Sequence, residues 1–127
     1  MEKKADRQQG MTSRWAVPRS RAPEQLATPA ELRELLSSGA PVCLRFTAPW
    51  CIVCKRTDDA VVGLSRRSES LQFRDVDVDE ALELTESFAV GQLPTFVLLG
   101  PLRSEDGDLS KLEIGRAEGV PHKRPGR

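Results

Sequence analysis

The chain has 127 residues, 39% of them hydrophobic and 30% charged, and its 19 basic side chains balance its 19 acidic ones. This length favours a single domain. We expect no membrane span, because no run approaches the roughly 20 apolar residues required; we also expect no secretory signal and, at zero net charge, no general nucleic-acid binding.

The first predicted element is a helix over 29–38. Thr28 is a suitable N-cap, Pro29 suits the first helical position, and Glu31 completes a capping box. Gly39 provides the stop at the other end. Together these residues predict both ends of the helix.

The remaining pattern alternates strands with helices and ends in a hairpin. Strands linked by helices imply parallel pairing, and the closing hairpin adds an antiparallel edge. The order predicts an α/β fold with a central mixed sheet of about four strands flanked by helices. The predicted elements are, in chain order, a strand over 41–47, a helix over 51–66, a strand over 71–78, a helix over 80–88, and strands over 95–99 and 109–114.

Charge is distributed unevenly along the chain. Residues 1–23 carry six basic and two acidic side chains (+4), residues 24–114 carry nine and sixteen (−7), and residues 115–127 carry four and one (+3). The ends are also poor in large apolar residues, so they cannot bury enough surface to offset chain entropy. The predicted division is a disordered basic tail over 1–24, one domain over 25–116 and a second disordered basic tail over 117–127.

The basic N-terminus has two interpretations. Residues 11–21 are rich in Arg and Ser and lack acidic residues, as organelle presequences do, whereas Glu2 and Asp6 and the prolines depart from that pattern. Three cysteines are too few for a disulfide-stapled secreted scaffold, which favours a reducing compartment. We expect a cytoplasmic protein with a plain tail; a mitochondrial or other organellar location is the alternative.

The main chemical feature is the motif Trp-Cys-Ile-Val-Cys-Lys over 50–55, between a predicted strand and a predicted helix. Cys51 falls at the helix N-terminus, where exposed N–H groups and the helix dipole favour a thiolate. Cys54 lies one turn later on the same side. The first sulfur can attack a substrate disulfide and the second can resolve the mixed disulfide.

Three separated segments resemble the thioredoxin family. Residues 46–55 resemble its strand-to-active-site segment, with Ile52 and Val53 where thioredoxins have Gly-Pro. Residues 75–79 resemble its next strand. The third segment is Val-Gly-Gln-Leu-Pro-Thr-Phe over 90–96, which resembles the segment at the family's cis-proline. The resemblance covers about residues 26–116, and Gly115 resembles the glycine after the last strand.

The resemblance implies thiol–disulfide exchange on disulfide-containing protein substrates, with Cys51 as the nucleophile and Cys54 as the resolving thiol. It implies no bound cofactor, and electrons would come from an external reductase. The direction of exchange, reductant or oxidant, stays open, as does the oligomeric state. The implied docking surface consists of Trp50, Leu93, Pro94 and Thr95, with a cis peptide at Leu93–Pro94.

Arg45 occupies the position where thioredoxins carry a buried Asp credited with moving the proton of the second cysteine. An arginine does not lose its proton in proteins, so it would instead favour nearby thiolates and lower cysteine pKa values. A buried guanidinium must be paired, and Asp75 lies in matching register. We predict an Arg45–Asp75 ion pair below Cys54, with Lys55 as a further tuning residue; the alternative is that Arg45 extends to solvent.

The C-terminal sequence also departs from the family, whose last helix covers one sheet face. After Gly115 this chain offers few apolar side chains and several helix-opposing Gly and Pro residues. We expect that face to be partly uncovered. Three explanations stay open: the N-terminal segment covers this face, a partner covers it, or the chain is a truncated variant.

Other interpretations remain beside the redox one. Cys51 and Cys54 could belong to a zinc site, with Cys43 and His122 as the remaining candidate ligands, but we predict no metal. Cys43 is expected to be a small buried core residue. The runner-up function is a non-catalytic binding module in a protein assembly. A further expectation assigns Asp58 and Asp59 to a solvated helix face.

Overall fold

The computed structural model describes residues 23–102 and 107–119. The predicted tails lie outside the described residues, apart from their inner ends. Within the described ranges no helix is long and apolar enough to cross a membrane. The elements are β1 (Glu24–Gln25), α1 (Pro29–Leu36), β2 (Val42–Thr47), α2 (Ile52–Lys55), α3 (Asp58–Arg67), β3 (Gln72–Asp77), α4 (Leu82–Ser87), β4 (Thr95–Leu99), a 3₁₀ helix (Leu109–Leu112) and β5 (Glu113–Glu118).

The strands form one mixed sheet in the order β1-β3-β2-β4-β5. Strand β3 pairs in parallel with β1 and β2, while β4 pairs antiparallel with both β2 and β5. The mixed α/β architecture is confirmed, but the sheet has five strands instead of about four. The missed strand, β1, consists of two exposed polar residues and therefore carries no hydrophobic alternation.

The expectation of parallel pairing is wrong for β4. The helix before it, α4, has six residues and is therefore about 9 Å long at the rise of an α-helix. Strand β3 also has six residues but extends about 20 Å. The helix therefore spans only part of that length. The registers place the start of β4 near the end of β3, because Thr95 pairs with Phe46 and Asp77 pairs with Thr47, and β4 runs antiparallel to β2.

Helix α1 begins as predicted. The backbone N–H of Glu31 donates to Thr28 Oγ1 at 3.1 Å, and Glu31 Oε1 accepts from the N–H groups of Ala27 and Thr28. The chain leaves the helix through Gly39, whose φ is +90°. That left-handed conformation is one that glycine adopts without a steric penalty.

Two predicted elements are divided in the structure. The helix expected over 51–66 is two helices, α2 and α3, separated at Arg56 and Thr57. The strand expected over 109–114 begins as a 3₁₀ helix and becomes β5 only at residue 113. Leu109 and Leu112 are both buried and lie three residues apart, which is the repeat of a 3₁₀ helix and not of a strand.

The two faces of the sheet differ in how well they are covered. On one face Val42, Leu44 and Phe46 are completely buried, and the Phe46 ring lies 5.8 Å from that of Phe88 beside α4. On the other face Cys43 is half-buried, as are its sheet neighbours Phe96 and Leu98. Phe73, the β3 neighbour of Cys43 on that face, is only 7% exposed, so the face that carries Cys43 is less covered on its β4 side alone.

Candidate functional site

The sheet brings four chain segments to one edge. Thr47, the last residue of β2, is paired with Asp77, the last residue of β3. Thr95, the first residue of β4, is paired with both Phe46 of β2 and Glu118 at the end of β5. The residues that follow β2, β3 and β5, together with the loop that precedes β4, therefore converge at this edge.

The two motif cysteines meet at this edge in a disulfide. Cys51 and Cys54 are bonded, with their Cα atoms 5.2 Å apart, and each is 1% exposed. Cys51 is the N-cap of α2, and its Sγ accepts the backbone N–H of Cys54 at 3.1 Å. Because α2 has only four residues, we attribute more to this direct donor than to the helix dipole. In the reduced chain the same donor would stabilise a Cys51 thiolate.

Trp50 and Ile52 lie beside the disulfide and form a surface that we call the apolar rim. Trp50 is half-buried, and its Nε1 donates to Asp79 Oδ2 at 2.6 Å. Ile52, between the two cysteines, is 64% exposed. The sequence singled out Ile52 as a departure from the family's Gly-Pro but did not indicate its exposure, and it assigned no role to Asp79. Trp50 is thus held in place beside an exposed apolar side chain.

The loop before β4 contains the predicted cis peptide between Leu93 and Pro94. Leu93 is 7% exposed and belongs to the same buried cluster as the two cysteines. Thr95 is completely buried, and its Oγ1 donates to the carbonyl of Gln92 at 2.7 Å. The expectation that Thr95 contributes to a docking surface is therefore wrong for its side chain, because that side chain stabilises the loop from inside.

Gly119 packs against this loop. Its backbone N–H donates to the carbonyl of Pro94 at 2.7 Å, and a Cβ on Gly119 would lie 2.7 Å from the carbonyl oxygen of Leu93. Gly115, which the resemblance placed after the last strand, lies within β5, where a Cβ would be 3.8 Å from the Leu98 Cβ. The glycine that follows the strand is therefore Gly119.

Below the cysteines lies the predicted Arg45–Asp75 pair. Arg45 is 6% exposed, and its Nε and Nη2 donate to the two carboxylate oxygens of Asp75, each at 2.9 Å. Burial opposes the charge of Arg45, but hydrogen bonds and charge interactions with Asp75 and Asp58 outweigh burial and raise its pKa. The alternative in which Arg45 extends to solvent is therefore wrong.

The pair extends into a network that the sequence did not indicate. Arg45 Nη1 donates to Thr57 Oγ1 and to Asp58 Oδ1, each at 2.8 Å, and to the backbone carbonyl of Cys54 at 3.3 Å. Asp58 therefore does not belong only to a solvated helix face. Lys55 is exposed and, with members of this network, lines a cavity of about 180 Å³.

Cys43 stands apart from the disulfide. It is half-buried on the less covered sheet face, and burial raises the pKa of its thiol to about 11. Its thiolate is therefore scarce at neutral pH. The zinc alternative has no support within residues 23–102 and 107–119, where no group of three or more potential ligands is placed to hold a metal, and His122 lies outside those residues.

Comparisons with known proteins agree with this geometry. The Thioredoxin family model matches residues 25–113. Thioredoxin H5 of Oryza sativa subsp. japonica is 30% identical over 92 residues, which cover 72% of this chain and 65% of that protein. Monothiol glutaredoxin-S17 of Arabidopsis thaliana is 35% identical over 74 residues, which cover 58% of this chain and 15% of that protein. The chain spans less than two thirds of the length of either relative.

Solved structures show the same similarity. Thioredoxin of Fasciola hepatica superposes with a TM-score of 0.64 at 28% identity, covering 76% of this chain and 86% of that one. The oxidised form of mitochondrial thioredoxin 3 from Saccharomyces cerevisiae gives a TM-score of 0.62 at 28% identity, covering 75% and 81%. The disulfide, the cis-proline loop and the sheet edge described above lie within the matched fold.

Proposed function

Because the chain belongs to the thioredoxin family of thiol–disulfide oxidoreductases, we propose that it reduces disulfide bonds in protein substrates through Cys51 and Cys54. The observation that carries the proposal is the Cys51–Cys54 disulfide at the start of α2, with the Cys54 N–H directed at the Cys51 sulfur. That donor distinguishes the two sulfurs, because it stabilises negative charge on Cys51.

The reaction follows from that asymmetry. In the reduced protein the Cys51 thiolate attacks one sulfur of a substrate disulfide, and the other substrate sulfur leaves as a thiolate that takes up a proton. The Cys54 thiol then loses its proton and attacks the Cys51 sulfur. This step closes the Cys51–Cys54 disulfide and releases the second substrate thiolate. Two electrons have passed to the substrate, and an external reductase that supplies two electrons restores the dithiol.

Substrate binding is assigned to the apolar rim. Trp50, anchored to Asp79, and the exposed Ile52 flank the disulfide. We assign to the same surface the backbone of the loop with Leu93 and Pro94, because Leu93 belongs to one buried cluster with both cysteines. An extended peptide that carries a disulfide would contact both the apolar rim and this loop, which supports a protein substrate over a small disulfide compound.

Insulin reduction by dithiothreitol tests the proposal. We expect the folded protein to accelerate precipitation of the insulin B chain, and the Cys51→Ser variant to lose this acceleration. Cys43→Ser is the matched control, since it removes a thiol of high pKa outside the site and should retain the wild-type rate. No acceleration by folded wild-type protein, or equal rates for wild type and Cys51→Ser, would reject the reductase.

The second candidate is a thioredoxin-like binding module without catalysis. Its support is that both cysteines are 1% exposed and that Arg45, which cannot act as a base, lies below Cys54. A folded protein that is inactive on insulin would favour this candidate. Rapid trapping of insulin by Cys54→Ser as a mixed disulfide would argue against it, because an idle Cys51 forms no such adduct.

A further inference from the structure

Arg45 contacts the turn that carries Cys54. The donors to the Cys54 carbonyl include the Thr57 N–H at 2.9 Å, Thr57 Oγ1 at 2.6 Å and Arg45 Nη1 at 3.3 Å. This carbonyl lies where α2 ends and α3 begins. A buried arginine in the middle of β2 is thus hydrogen-bonded to the backbone of the second motif cysteine.

The position of the turn between α2 and α3 depends on hydrogen bonds such as the one from Arg45. A helix of four residues is too short to be stable by itself, so the position of α2 depends on contacts outside it. Its N-terminal end is fixed by the Cys51 cap and the disulfide. Once the disulfide is reduced, the C-terminal end is held by the Arg45 hydrogen bonds and by the start of α3.

The guanidinium is itself held rigidly. Its Nε and Nη2 form a two-point contact with Asp75, while Nη1 points to the Cys54 turn and to Asp58. Such planar two-point pairs fix orientation as well as distance. Strands β2 and β3 are paired in register at these two residues, so the anchor belongs to the centre of the sheet.

We propose that Arg45 is a positioning residue for the second step of exchange: it holds Cys54 where its sulfur reaches the mixed disulfide on Cys51. The proposal rests on the proposed function and assigns this step a specific determinant. In that step the bond between Cys51 and the substrate sulfur breaks, the Cys51–Cys54 bond forms, and the leaving electron pair goes to the substrate thiolate. The Cys54 proton passes to solvent, since Arg45 cannot accept it.

Dithiodipyridine separates the two steps, because attack by Cys51 and ring closure by Cys54 each release one absorbing thiopyridone. All proteins carry Cys43→Ala, so that only the two motif thiols react. The test variant is Arg45→Met with Asp75→Leu, which removes both charges together. Replacing both partners of a buried ion pair with apolar residues is often neutral for stability, whereas removing one leaves an unpaired buried charge.

We expect the first thiopyridone to appear within threefold of the wild-type rate and the second at least tenfold more slowly. Arg45→Lys keeps the charge without the two-point geometry, so it should slow ring closure by an intermediate factor. The matched control is Arg116→Met with Glu113→Leu, which removes another two-point arginine–carboxylate pair. The other hydrogen bonds of Arg116 reach Phe88 and Glu118 and neither cysteine, so loss of this pair should leave both rates unchanged. Retained circular dichroism confirms that each variant is folded.

Ring closure by the double variant at the wild-type rate overturns the proposal, as does an equal slowing in the Arg116 control. If the double variant does not fold, Arg45→Lys decides: ring closure at the wild-type rate overturns the proposal. A wild-type protein that closes the ring but does not reduce insulin would reject the reductase and leave the role of Arg45 standing. A wild-type protein that closes no ring overturns both.

Discussion

Gly119→Ala is the sharpest test of the cis-proline loop as part of the site. A Cβ at this position would lie 2.7 Å from the Leu93 carbonyl oxygen, 2.9 Å from Pro94 Cδ and 3.0 Å from the Leu93 carbonyl carbon. The closest of these is about 0.7 Å short of the 3.4 Å at which ordinary van der Waals contact begins. Because two of the three atoms are backbone, the methyl group fits only if the loop or the end of β5 moves.

The cost follows from the overlap. Forcing an extra methyl into a packed site costs about 1–3 kcal/mol. If the backbone separates, the hydrogen bond from Gly119 to Pro94 adds a further 0.5–1.5 kcal/mol, roughly. A shift of about 1 Å in a substrate-positioning group can lower a rate by on the order of 100-fold. We therefore expect a loss of stability of about 2 kcal/mol, or about 3 kcal/mol where the hydrogen bond is also lost, and at least a tenfold slower reduction of insulin.

Gly115→Ala is the matched control, because its Cβ would lie at an ordinary 3.8 Å from the Leu98 Cβ in the same strand region. Urea unfolding gives the stability difference, and insulin turbidity gives the rate. We expect Gly115→Ala to unfold within about 0.5 kcal/mol of wild type, as substitutions without a specific clash do. Equal urea midpoints and equal rates of insulin reduction for the two variants would refute the reasoning. A Gly119→Ala protein that is destabilised but fully active would show that Gly119 has only a structural role.

Three further predictions concern the rest of the fold. Since burial raises the pKa of Cys43 from 9.0 to about 11, the thiol should resist iodoacetamide at pH 8. Because the thiol ionises at lower pH in the unfolded chain than in the folded one, the free energy of unfolding should fall as pH rises from 9 towards 11. Cys43→Ala should remove that decline. Hydrogen bonding from Arg116 lowers the pKa of Glu113, so Glu113→Gln should lower the free energy of unfolding by up to about 1 kcal/mol in urea at pH 7. The difference should vanish well below pH 4.5, because the wild-type carboxylate is then protonated. Thr28→Ala removes the cap on the Glu31 N–H and should cost about 1 kcal/mol by the same measurement, whereas an unchanged urea midpoint would contradict the capping box.

Local signals accounted for most of the fold. Some features depend only on neighbouring residues and could be predicted from a short window of sequence: the cap at Thr28, the helix stop at Gly39 and the apolar run of β4. The break between α2 and α3 could not, because the Thr57 N–H bonds to the Cys54 carbonyl three residues back and interrupts the regular i→i−4 pattern. The direction of β4 likewise depends on the end of the sheet at which the chain enters that strand, which no short window of sequence records.

In the site, too, the contacts set by regular strand geometry could be predicted and those from irregular segments could not. The Arg45–Asp75 pair could be predicted because both residues lie in strands, where a period of two and a matching register determine which side chains share a face. Asp58, Asp79 and Gly119 could not, since each reaches the site from a segment whose distance in sequence has no regular relation to its distance in space. All three are ordinary residues in the sequence and acquire a role only through the partner they meet at the sheet edge. It follows that the departures of this chain from the family pattern lie in the contacts of Arg45 as well as in the Ile52 and Val53 pair of the cysteine motif.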